Sequence, residues 1–463
     1  MSSVVVIGGG ITGLAAAHTL ASRGDDLEVT LVEGDARLGG KILTEHEDGI
    51  TYEAGADAFV ARDPAILQLC TDLGLHDDLI APSVFGAHIW SGEKMKALPS
   101  DWAFGLPTGA SSILGSDLLP VDTKIRALWD LVAPGKLTGD DISVGDLVRR
   151  RLGGQLLERV VDPLLGGSRA GTADDISLAA GMPPLDAVAR SSASLTRGLG
   201  KAQREGELPE GPPPFLGLPG GMQRLVDSLA HSLPQVRMRT GTRAVSIEGG
   251  PGGYSIQLDE GSALKADAAI LAVPAYSAGD LIDAINPEAA RQLYRIQYAS
   301  SAVAVLVYAG GQEKLPRTGS GFLVPSRDHR TLTACTWYST KWPGAAPGDP
   351  RLVLRCFVGR TDREASLALD DDDLIGLIEG EVKEALELTE ALQTWKLYRW
   401  DRGLPHYRVG HLSLLEKIDT AVAATPGIEL AGAAYRGSGL PDCVRQGRQA
   451  AARALAFVAA SDG

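Results

Sequence analysis

Three glycines near the start of the chain, Gly8, Gly10 and Gly13, stand in a GxGxxG arrangement. This spacing allows a tight turn, a close approach of the backbone to a pyrophosphate, and close packing of a helix on a strand. An apolar run over 3–7 precedes the glycines, and a helical pattern follows them. Glu33 lies twenty residues after Gly13, where a carboxylate can bind an adenosine ribose and would repel a 2′-phosphate. The motif predicts a dinucleotide site.

The residues after Glu33 favour FAD over NAD. Residues 33–41 fit the pattern ExxxRxGG of amine oxidase-type flavoproteins, with Arg37, Gly39, Gly40 and then Lys41. Two glycines and a cation would supply a second backbone wall for the far half of the cofactor. The turn over 53–57 (EAGAD) follows, and in such proteins this turn lies along the flavin.

A third segment near the C-terminus fits the same site. Residues 429–432 predict a strand and a turn, and Gly437-Ser438-Gly439-Leu440 leads into a helix that runs to about Val458. A helix N-terminus favours negative charge, such as that of a reduced flavin ring. A purely structural β-turn-α unit is the other interpretation of this segment.

These segments must be positioned by more than one folding unit, because 463 residues are too many for one hydrophobic core. The glycine motif lies in a βαβ unit whose second strand covers 28–32. Residues 90–212 are mainly helical in pattern, and the proline-rich 207–214 predicts a boundary. Strands are predicted at 236–259 and 268–273 and in a second sheet at 300–360. Asp370–Asp373 predicts the cap of a helix that runs to Leu388.

Composition excludes several classes of partner. The net charge of −14 makes nucleic acid an improbable ligand. The apolar run 299–309 is too short for a bilayer crossing, so no transmembrane helix is expected, while peripheral membrane contact stays open. The start Met1-Ser2-Ser3 has no export pattern, so a cytoplasmic protein is expected. Four cysteines and eight histidines show no metal-ligand spacing, so no metal site is expected.

The sequence resembles the protoporphyrinogen and coproporphyrinogen oxidases of haem synthesis, most closely the soluble bacterial coproporphyrinogen III oxidase type. The resemblance covers nearly the whole chain. Its motifs are GGGITGLAAA (8–17), LGGKI (38–42), GADAF (55–59), GLPGGMQRLV (217–226), TACTW (333–337), KWPGAAP (341–347), RWDRGLPHYRVGH (399–411) and GSGLPDCVRQG (437–447). Two stretches depart from the family pattern: 167–171 reads GSRAG, where the third residue is usually aromatic, and the usual PQY is Pro405-His406-Tyr407.

The resemblance implies an α/β fold, α+β overall, with three parts. A Rossmann-like FAD-binding domain of the amine oxidase type comprises 1–90, 213–290 and 416–463; a helical subdomain comprises 91–212; and a substrate-binding β-sheet domain comprises 291–415. The motifs and the resemblance together predict the residues that bind non-covalent FAD: Gly8, Gly9, Gly10, Ile11, Thr12, Gly13, Glu33, Gly34, Arg37, Gly40, Lys41, Gly55, Ala56, Asp57, Ala58, Ala244, Trp400, Ser438, Gly439 and Leu440.

The implied reaction is the six-electron oxidation of coproporphyrinogen III to coproporphyrin III in three steps, with dioxygen reduced to hydrogen peroxide at each step. Protoporphyrinogen IX is the alternative substrate. No catalytic base is predicted, since flavin carries the electron chemistry. Arg62 and Arg169 are predicted to meet substrate carboxylates, with surface ion pairs as the alternative interpretation.

Other polar and aromatic residues have a structural interpretation beside the functional one. Arg149-Arg150-Arg151 is typical of a solvated face, His406 of a satisfied structural histidine, and Trp400 and Tyr407 of either a flavin wall or a core. Two further functions stay open. An amine oxidase or carotenoid-type desaturase would share the FAD architecture, although 5% aromatic residues is few for an amine cage. The second further function is that of a FAD-stabilised binding protein without turnover.

Overall fold

The computed structural model describes residues 2–22, 27–61, 63–92, 94–133, 135–208, 215–250 and 252–461, apart from the side chains of Ser168, Arg169, Pro343 and Ser461. The strands are β1 Ser2–Ile7, β2 Leu27–Val32, β3 Thr44–Glu47, β4 Ile50–Glu53, β5 Phe59–Val60, β6 His88–Ser91, β7 Lys94–Ala97, β8 Phe215–Leu216, β9 Arg237–Arg239, β10 Ala244–Gly250, β11 Gly253–Leu258, β12 Ala263–Ala266, β13 Ala268–Leu271, β14 Gln297–Tyr308, β15 Gly321–Leu323, β16 Leu332–Trp337, β17 Leu352–Val358, β18 Leu392–His406 and β19 Ile428–Leu430.

The helices complete the framework. They are α1 Ile11–Ala21, α2 Pro64–Asp72, α3 Ala110–Leu114, α4 Val121–Leu128, α5 Val144–Arg151, α6 Gly154–Leu156, α7 Asp162–Arg169, α8 Leu178–Gly181, α9 Pro183–Ser191, α10 Leu195–Arg204, α11 Gln223–His231, α12 Ala275–Ile282, α13 Pro287–Leu293, α14 Tyr338–Lys341, α15 Asp371–Leu386, α16 His411–Val422 and α17 Leu440–Ser461.

A five-stranded parallel sheet in the order β19-β13-β1-β2-β9 carries the glycine motif. β1 is buried on both faces, as strands of parallel sheets are. Val4 and Val6 pack with α1, α11 and α17, whereas Val5 and Ile7 pack with β10–β12, α12 and α13. The strands of this sheet come from the separated stretches that the sequence assigns to the FAD-binding unit.

A second sheet has seven strands in the order β18-β14-β17-β16-β15-β6-β7, antiparallel except for the β15–β6 pair. One face packs on α15. Its N-cap residue Asp370 accepts a hydrogen bond from the Asp373 amide at 2.9 Å, as the sequence predicts. The hairpin β6–β7, over 88–97, joins this sheet, although the sequence-based partition divides it between the other two units. The pairing of β6 with β15 joins segments that are far apart in the sequence, so no pattern near 88–97 predicts it.

Helices α3–α10 bury a separate apolar core between Trp102 and Leu208. α4 and the turn after it also leave an apolar stripe uncovered: Val121, Ile125 and Trp129 follow one another at helical spacing, and Val132 continues the stripe. Trp129 is 61% exposed. The proline-rich residues 209–214, where the sequence predicts a boundary, lie outside the described residues.

Candidate active site

The glycine motif forms the turn between β1 and α1. Gly8 has a φ of 110°, a left-handed conformation that glycine adopts readily. A β-carbon at Gly13 would collide with the carbonyl oxygen of Gly8, so this glycine permits α1 to lie close against the strand. Gly10, the N-cap of α1, is different, because a β-carbon there would meet no protein atom within 4 Å. Packing of the protein does not require glycine at position 10, whereas close approach of a pyrophosphate would.

Glu33 follows β2 and closes the glycine turn. Its Oε2 accepts a hydrogen bond from the Gly9 amide at 2.6 Å, and its Oε1 accepts one from the Asp35 amide at 2.8 Å. Each carboxylate oxygen retains a second lone pair, so Glu33 can still accept from a ribose hydroxyl. The half-buried carboxylate thus ties the two loops that would flank an adenosine.

Gly39 and Gly40 pack directly on the first glycine turn. The Gly39 amide donates to the Gly9 carbonyl at 2.9 Å, and a β-carbon at Gly40 would lie 3.4 Å from Gly10 Cα. The Arg37 guanidinium donates to three carbonyls of its own loop: Gly40 at 2.5 Å, Ile42 at 2.9 Å and Leu38 at 3.2 Å. Arg37 therefore shapes the loop that would hold FAD.

Lys41 and Trp400 continue this surface toward the turn 54–58. The Lys41 side chain is exposed, yet burial among protein atoms lowers its pKa, so it lines a cleft rather than the outer surface. Gly55 fits between the Lys41 carbonyl and the Trp400 ring, which would lie 3.7 Å from a β-carbon there. The Trp400 indole donates to the Ala54 carbonyl at 3.0 Å.

The turn 54–58 is also held by Arg355 on β17 of the seven-stranded sheet and by Lys341 and Trp342 at the end of α14. Asp57 Oδ2 lies 2.6 Å from Lys341 Nζ, 3.2 Å from Trp342 Nε1 and 3.4 Å from an Arg355 guanidinium nitrogen. The Arg355 guanidinium also donates to the Gly55 carbonyl at 2.5 Å. Asp57 is engaged by these cations and the indole, which fixes the turn, so the backbone and Ala58 rather than this carboxylate would face a flavin.

The C-terminal segment returns to the first glycine turn. A β-carbon at Gly447, on α17, would collide with the Thr12 carbonyl, so α17 packs closely on α1. Tyr407 holds the loop before α17, because its hydroxyl donates to the Ala433 carbonyl at 2.6 Å and accepts from the Gly437 amide at 3.0 Å. Ser438 and Gly439 are exposed just before α17 begins at Leu440.

The remaining predicted FAD residues lie near the first glycine turn and Glu33, where an adenosine would bind. Ile11 and Thr12 are buried in the first turn of α1. Gly34 packs near the Arg243 side chain, and Ala244 begins β10 with its side chain half-buried. The structure thus places the predicted residues of 8–13, 33–41, 55–58 and 438–440 around connected loops at the carboxyl edge of the parallel sheet, where ligands of such sheets bind.

The two stretches that depart from the family pattern contact each other. A β-carbon at Gly171 would collide with the His406 ring. His406 is buried, its Nε2 has no hydrogen-bond partner among the described residues, and burial lowers its pKa. A neutral imidazole therefore packs on the glycine, and the two departures form one local packing change.

The arginine predictions have different outcomes. Arg62 and the Arg169 side chain lie outside the described residues, so both stay predictions. Arg149 and Arg150 are exposed and pair with acidic side chains, as a solvated face does. Arg151 differs, because it lies 2.8 Å from the fully buried Asp130 carboxylate. That residue is part of the framework of the helical region.

The predicted residues fit FAD. The open space beside Gly10, the free lone pairs of Glu33, and the cleft with Lys41 suit the pyrophosphate, the ribose and the flavin end in that order. Among the described residues, no group of three or more His, Cys, Asp or Glu side chains is placed to bind a metal ion.

Comparison with known proteins decides the family. Residues 11–455 match the sequence profile of the family described as flavin containing amine oxidoreductase. The chain belongs to this family. It is therefore a flavin-dependent oxidoreductase, and with the dinucleotide site described above its cofactor is FAD. The predicted fold class and the resemblance to porphyrinogen oxidases are confirmed.

Three relatives cover almost the whole of this flavin oxidoreductase. The coproporphyrinogen III oxidase of Bacillus subtilis is 32% identical, over 98% of both chains. That of Mycobacterium bovis is 35% identical, over 96% of this chain and 95% of its own. A crystal structure from Exiguobacterium, assigned as a protoporphyrinogen oxidase, is 32% identical with a TM-score of 0.87, over 97% of this chain and 98% of its own.

Sequence reasoning missed the residues that support the flavin-side turn: Glu53, Lys341, Trp342 and Arg355. One signal for Arg355 is present, because it is the only charged residue in the strand LVLRCFV, and an isolated charge in an apolar strand indicates a buried partner. Lys341 and Trp342 open the motif KWPGAAP, but only the fold reveals that this motif meets Asp57.

Proposed function

We propose that this protein oxidises coproporphyrinogen III to coproporphyrin III in haem synthesis, removing six electrons in three two-electron steps. Each step reduces one dioxygen to hydrogen peroxide, so three dioxygen molecules are consumed for each macrocycle. The observation that carries the proposal is 32–35% identity to coproporphyrinogen III oxidases over nearly the full length, together with the complete set of loops around the FAD site.

The bound FAD supplies the two-electron oxidation and the reaction with dioxygen. The chain holds the cofactor through the amide-rich turn 8–13, the Arg37-shaped loop and the turn 54–58. The second sheet fixes the turn 54–58 through Trp400 on β18 and Arg355 on β17. Lys341, at the end of α14, adds a third contact. The residues that would bear on the flavin are therefore supported mainly from the sheet proposed to hold substrate. Rigid support of this kind keeps the macrocycle and the flavin aligned.

No described side chain near the flavin-side turn stands ready as a strong base. Asp57 is paired with Lys341 and Arg355, and the neutral His406 is enclosed by protein. Glu53 is buried beneath the turn, and both of its carboxylate oxygens accept hydrogen bonds from the protein. A porphyrinogen needs little help of this kind, since its pyrrolic N–H protons can leave as the meso carbons are oxidised. We therefore assign the protein a positioning role and no proton-abstracting residue.

The substrate is tested by side-by-side kinetics. Purified, FAD-loaded protein is given coproporphyrinogen III or protoporphyrinogen IX under air, and porphyrin fluorescence and peroxide are measured. We expect a higher kcat/KM for coproporphyrinogen III and about three peroxides per porphyrin formed. A higher kcat/KM for protoporphyrinogen IX would reassign the substrate, as the Exiguobacterium structure's assignment would favour.

The same assay separates the other functions. Polyamines, monoamines and a carotene are included as substrates, because turnover of any of these with none of the porphyrinogens would favour an amine oxidase or a desaturase. Bound FAD with no peroxide from any substrate would favour a binding protein.

We place the reaction in the cytoplasm, with peripheral membrane contact through the stripe Val121, Ile125, Trp129 and Val132. Among the described residues no helix has the length and apolar character to cross a bilayer. Sedimentation with lipid vesicles tests the contact, and a variant with Ile125→Ser and Trp129→Ser should lose it. Equal recovery of both proteins with the vesicles would contradict this part of the proposal.

A further inference from the structure

Four ionisable side chains lie together beneath the turn 54–58, two of them buried and two half-buried. Asp57 pairs with Lys341 and Arg355, as described above. Glu53, at the end of β4, is 1% exposed and accepts hydrogen bonds from the Met222 amide at 2.5 Å and the Thr44 hydroxyl at 2.9 Å. Arg355 is also 1% exposed, and its Nε has no partner among the described residues. We name Glu53, Asp57, Lys341 and Arg355 the turn cluster.

The charge of the turn cluster depends on Glu53. Burial would raise the pKa of Asp57, but Lys341 and Arg355 outweigh it and hold that pKa well below its ordinary value, so Asp57 is ionised. Burial raises the pKa of Glu53 to about 7, against the opposing effects of the Met222 amide, the Thr44 hydroxyl and Arg355. Two cations and one fixed anion leave the cluster at +1 with Glu53 protonated and neutral with Glu53 ionised.

The groups that face Glu53 are few. Arg355 on β17 favours its ionised form, Asp57 in the turn favours its protonated form, and Tyr338 on α14 stays neutral because burial raises its own pKa well above the ordinary value. Both hydrogen bonds to Glu53 come from uncharged donors. Among the described residues no cation lies within ion-pair distance of the Glu53 carboxylate, so uptake or loss of a proton mainly decides its charge.

We propose that the turn cluster sets the reduction potential of the bound FAD and that Glu53 makes this potential respond to pH, taking up a proton from solvent when the flavin is reduced. The inference rests on the proposed contact between the turn 54–58 and the flavin. Lys341, Arg355 and Glu53 act as positioning and electrostatic residues, because they touch the turn and its supports rather than the reacting atoms.

The direction of the effect follows from the charges. Reduction adds electrons, so a cluster at +1 favours the reduced cofactor more than a neutral cluster does. A buried unit charge within about a nanometre of the flavin changes the equilibrium between its oxidised and reduced forms by roughly tenfold. The coupling is reciprocal, because flavin reduction must favour the protonated Glu53 by the same factor. The potential should therefore fall more steeply with rising pH near neutrality than flavin protonation alone produces.

The experiment measures the flavin midpoint potential from pH 5.5 to 8.5 with reference dyes, without any porphyrinogen. Wild type is compared with Glu53→Gln and with the control Glu47→Gln, which removes an acid that pairs with Lys396 at the surface. At pH 8.5 we expect Glu53→Gln to favour reduction by roughly tenfold over wild type, which is about 30 mV for two electrons. At pH 5.5 the two should coincide, and Glu47→Gln should follow wild type throughout.

A second measurement needs no variant. Proton uptake on photoreduction of the wild-type protein is followed with an indicator dye, and we expect uptake beyond that of free FAD with a maximum near pH 7. Parallel potential curves for wild type and Glu53→Gln, or no additional uptake, would overturn the inference even if the porphyrinogen assay succeeds. The expected pH dependence of the potential and the expected proton uptake, found without any porphyrinogen turnover, would instead overturn the proposed function alone. Protein that binds no FAD would overturn both.

Discussion

Gly10 distinguishes a ligand requirement from a packing requirement. A β-carbon at this position would meet no protein atom within 4 Å, and the backbone there is extended with a φ of −72°, which any residue adopts. We expect Gly10→Val to fold with an unchanged far-ultraviolet circular dichroism spectrum and to retain less than a tenth of the FAD of wild type. The control Gly13→Val should instead lose folded protein, since its side chain would strike the Gly8 carbonyl. Stoichiometric FAD in Gly10→Val would contradict the proposed cofactor position.

Arg62 and Arg169 carry the prediction for substrate binding by a chain of net charge −14. Guanidinium groups at a pocket rim suit carboxylates, and a solvated pair contributes up to ~1 kcal/mol. Replacing either by Ala should raise the KM for coproporphyrinogen III by roughly fivefold at low salt, with FAD content unchanged. The difference should diminish at high salt, where exposed charges are screened. If both variants had the KM of wild type at low salt, both arginines would be assigned to the surface.

At the scale of elements, the pair Asp162–Arg360 anchors α7 to the end of β17. The Arg360 guanidinium donates to both Asp162 oxygens, at 2.8 and 3.1 Å, and both side chains are buried. Arg360→Met would leave a buried carboxylate without its cation, so we expect the free energy of unfolding at pH 7 to fall by about 3 kcal/mol. The control Arg453→Met breaks a pair whose arginine is half exposed and should lose at most ~1 kcal/mol.

The pH dependence of this variant has a defined sign. Burial would raise the pKa of Asp162, but Arg360 and two further donors outweigh it, so its folded pKa lies below the ordinary value. The stabilisation by the Asp162–Arg360 pair is therefore present at neutral pH and is lost in acid, below about pH 4, as Asp162 becomes protonated. Denaturant unfolding at pH 7 and pH 3.5 should show the gap between wild type and Arg360→Met narrowing in acid. A constant gap would contradict the ionised pair.

Local patterns were sufficient for the elements that carry the cofactor. The glycine turn, the strand that ends before Glu33 and the cap at Asp370 each depend on neighbours in the chain, and the structure has them where the sequence predicts them. Contacts between distant segments were not predictable. Asp57 meets Lys341 and Arg355 across almost three hundred residues, and nothing near Asp57 indicates that its carboxylate is already engaged.

For the whole molecule, FAD should connect segments that are far apart in the sequence. The proposed site takes residues from 8–13, 33–58, 244, 400 and 438–440, so bound FAD stabilises their joint arrangement. At a hundredfold excess over Kd, binding adds about 2.7 kcal/mol to the free energy of unfolding. The Tm of the apoprotein should therefore rise with FAD concentration, and Gly10→Val should show no rise. An equal rise in both proteins would indicate binding elsewhere.

The packing of α17 on α1 has a consequence for biosynthesis. The strand β19 and the helix α17 lie far along the chain from the first glycine turn. Nevertheless, α1 is fully packed only when Gly447 lies against Thr12, and Tyr407 holds the loop before α17. Domains usually fold in the order of their synthesis, but this one cannot close until β19 and α17 have been synthesised. Cofactor capture must wait for these two elements, so the growing chain passes through an interval with an open, apolar sheet face that chaperones would have to protect.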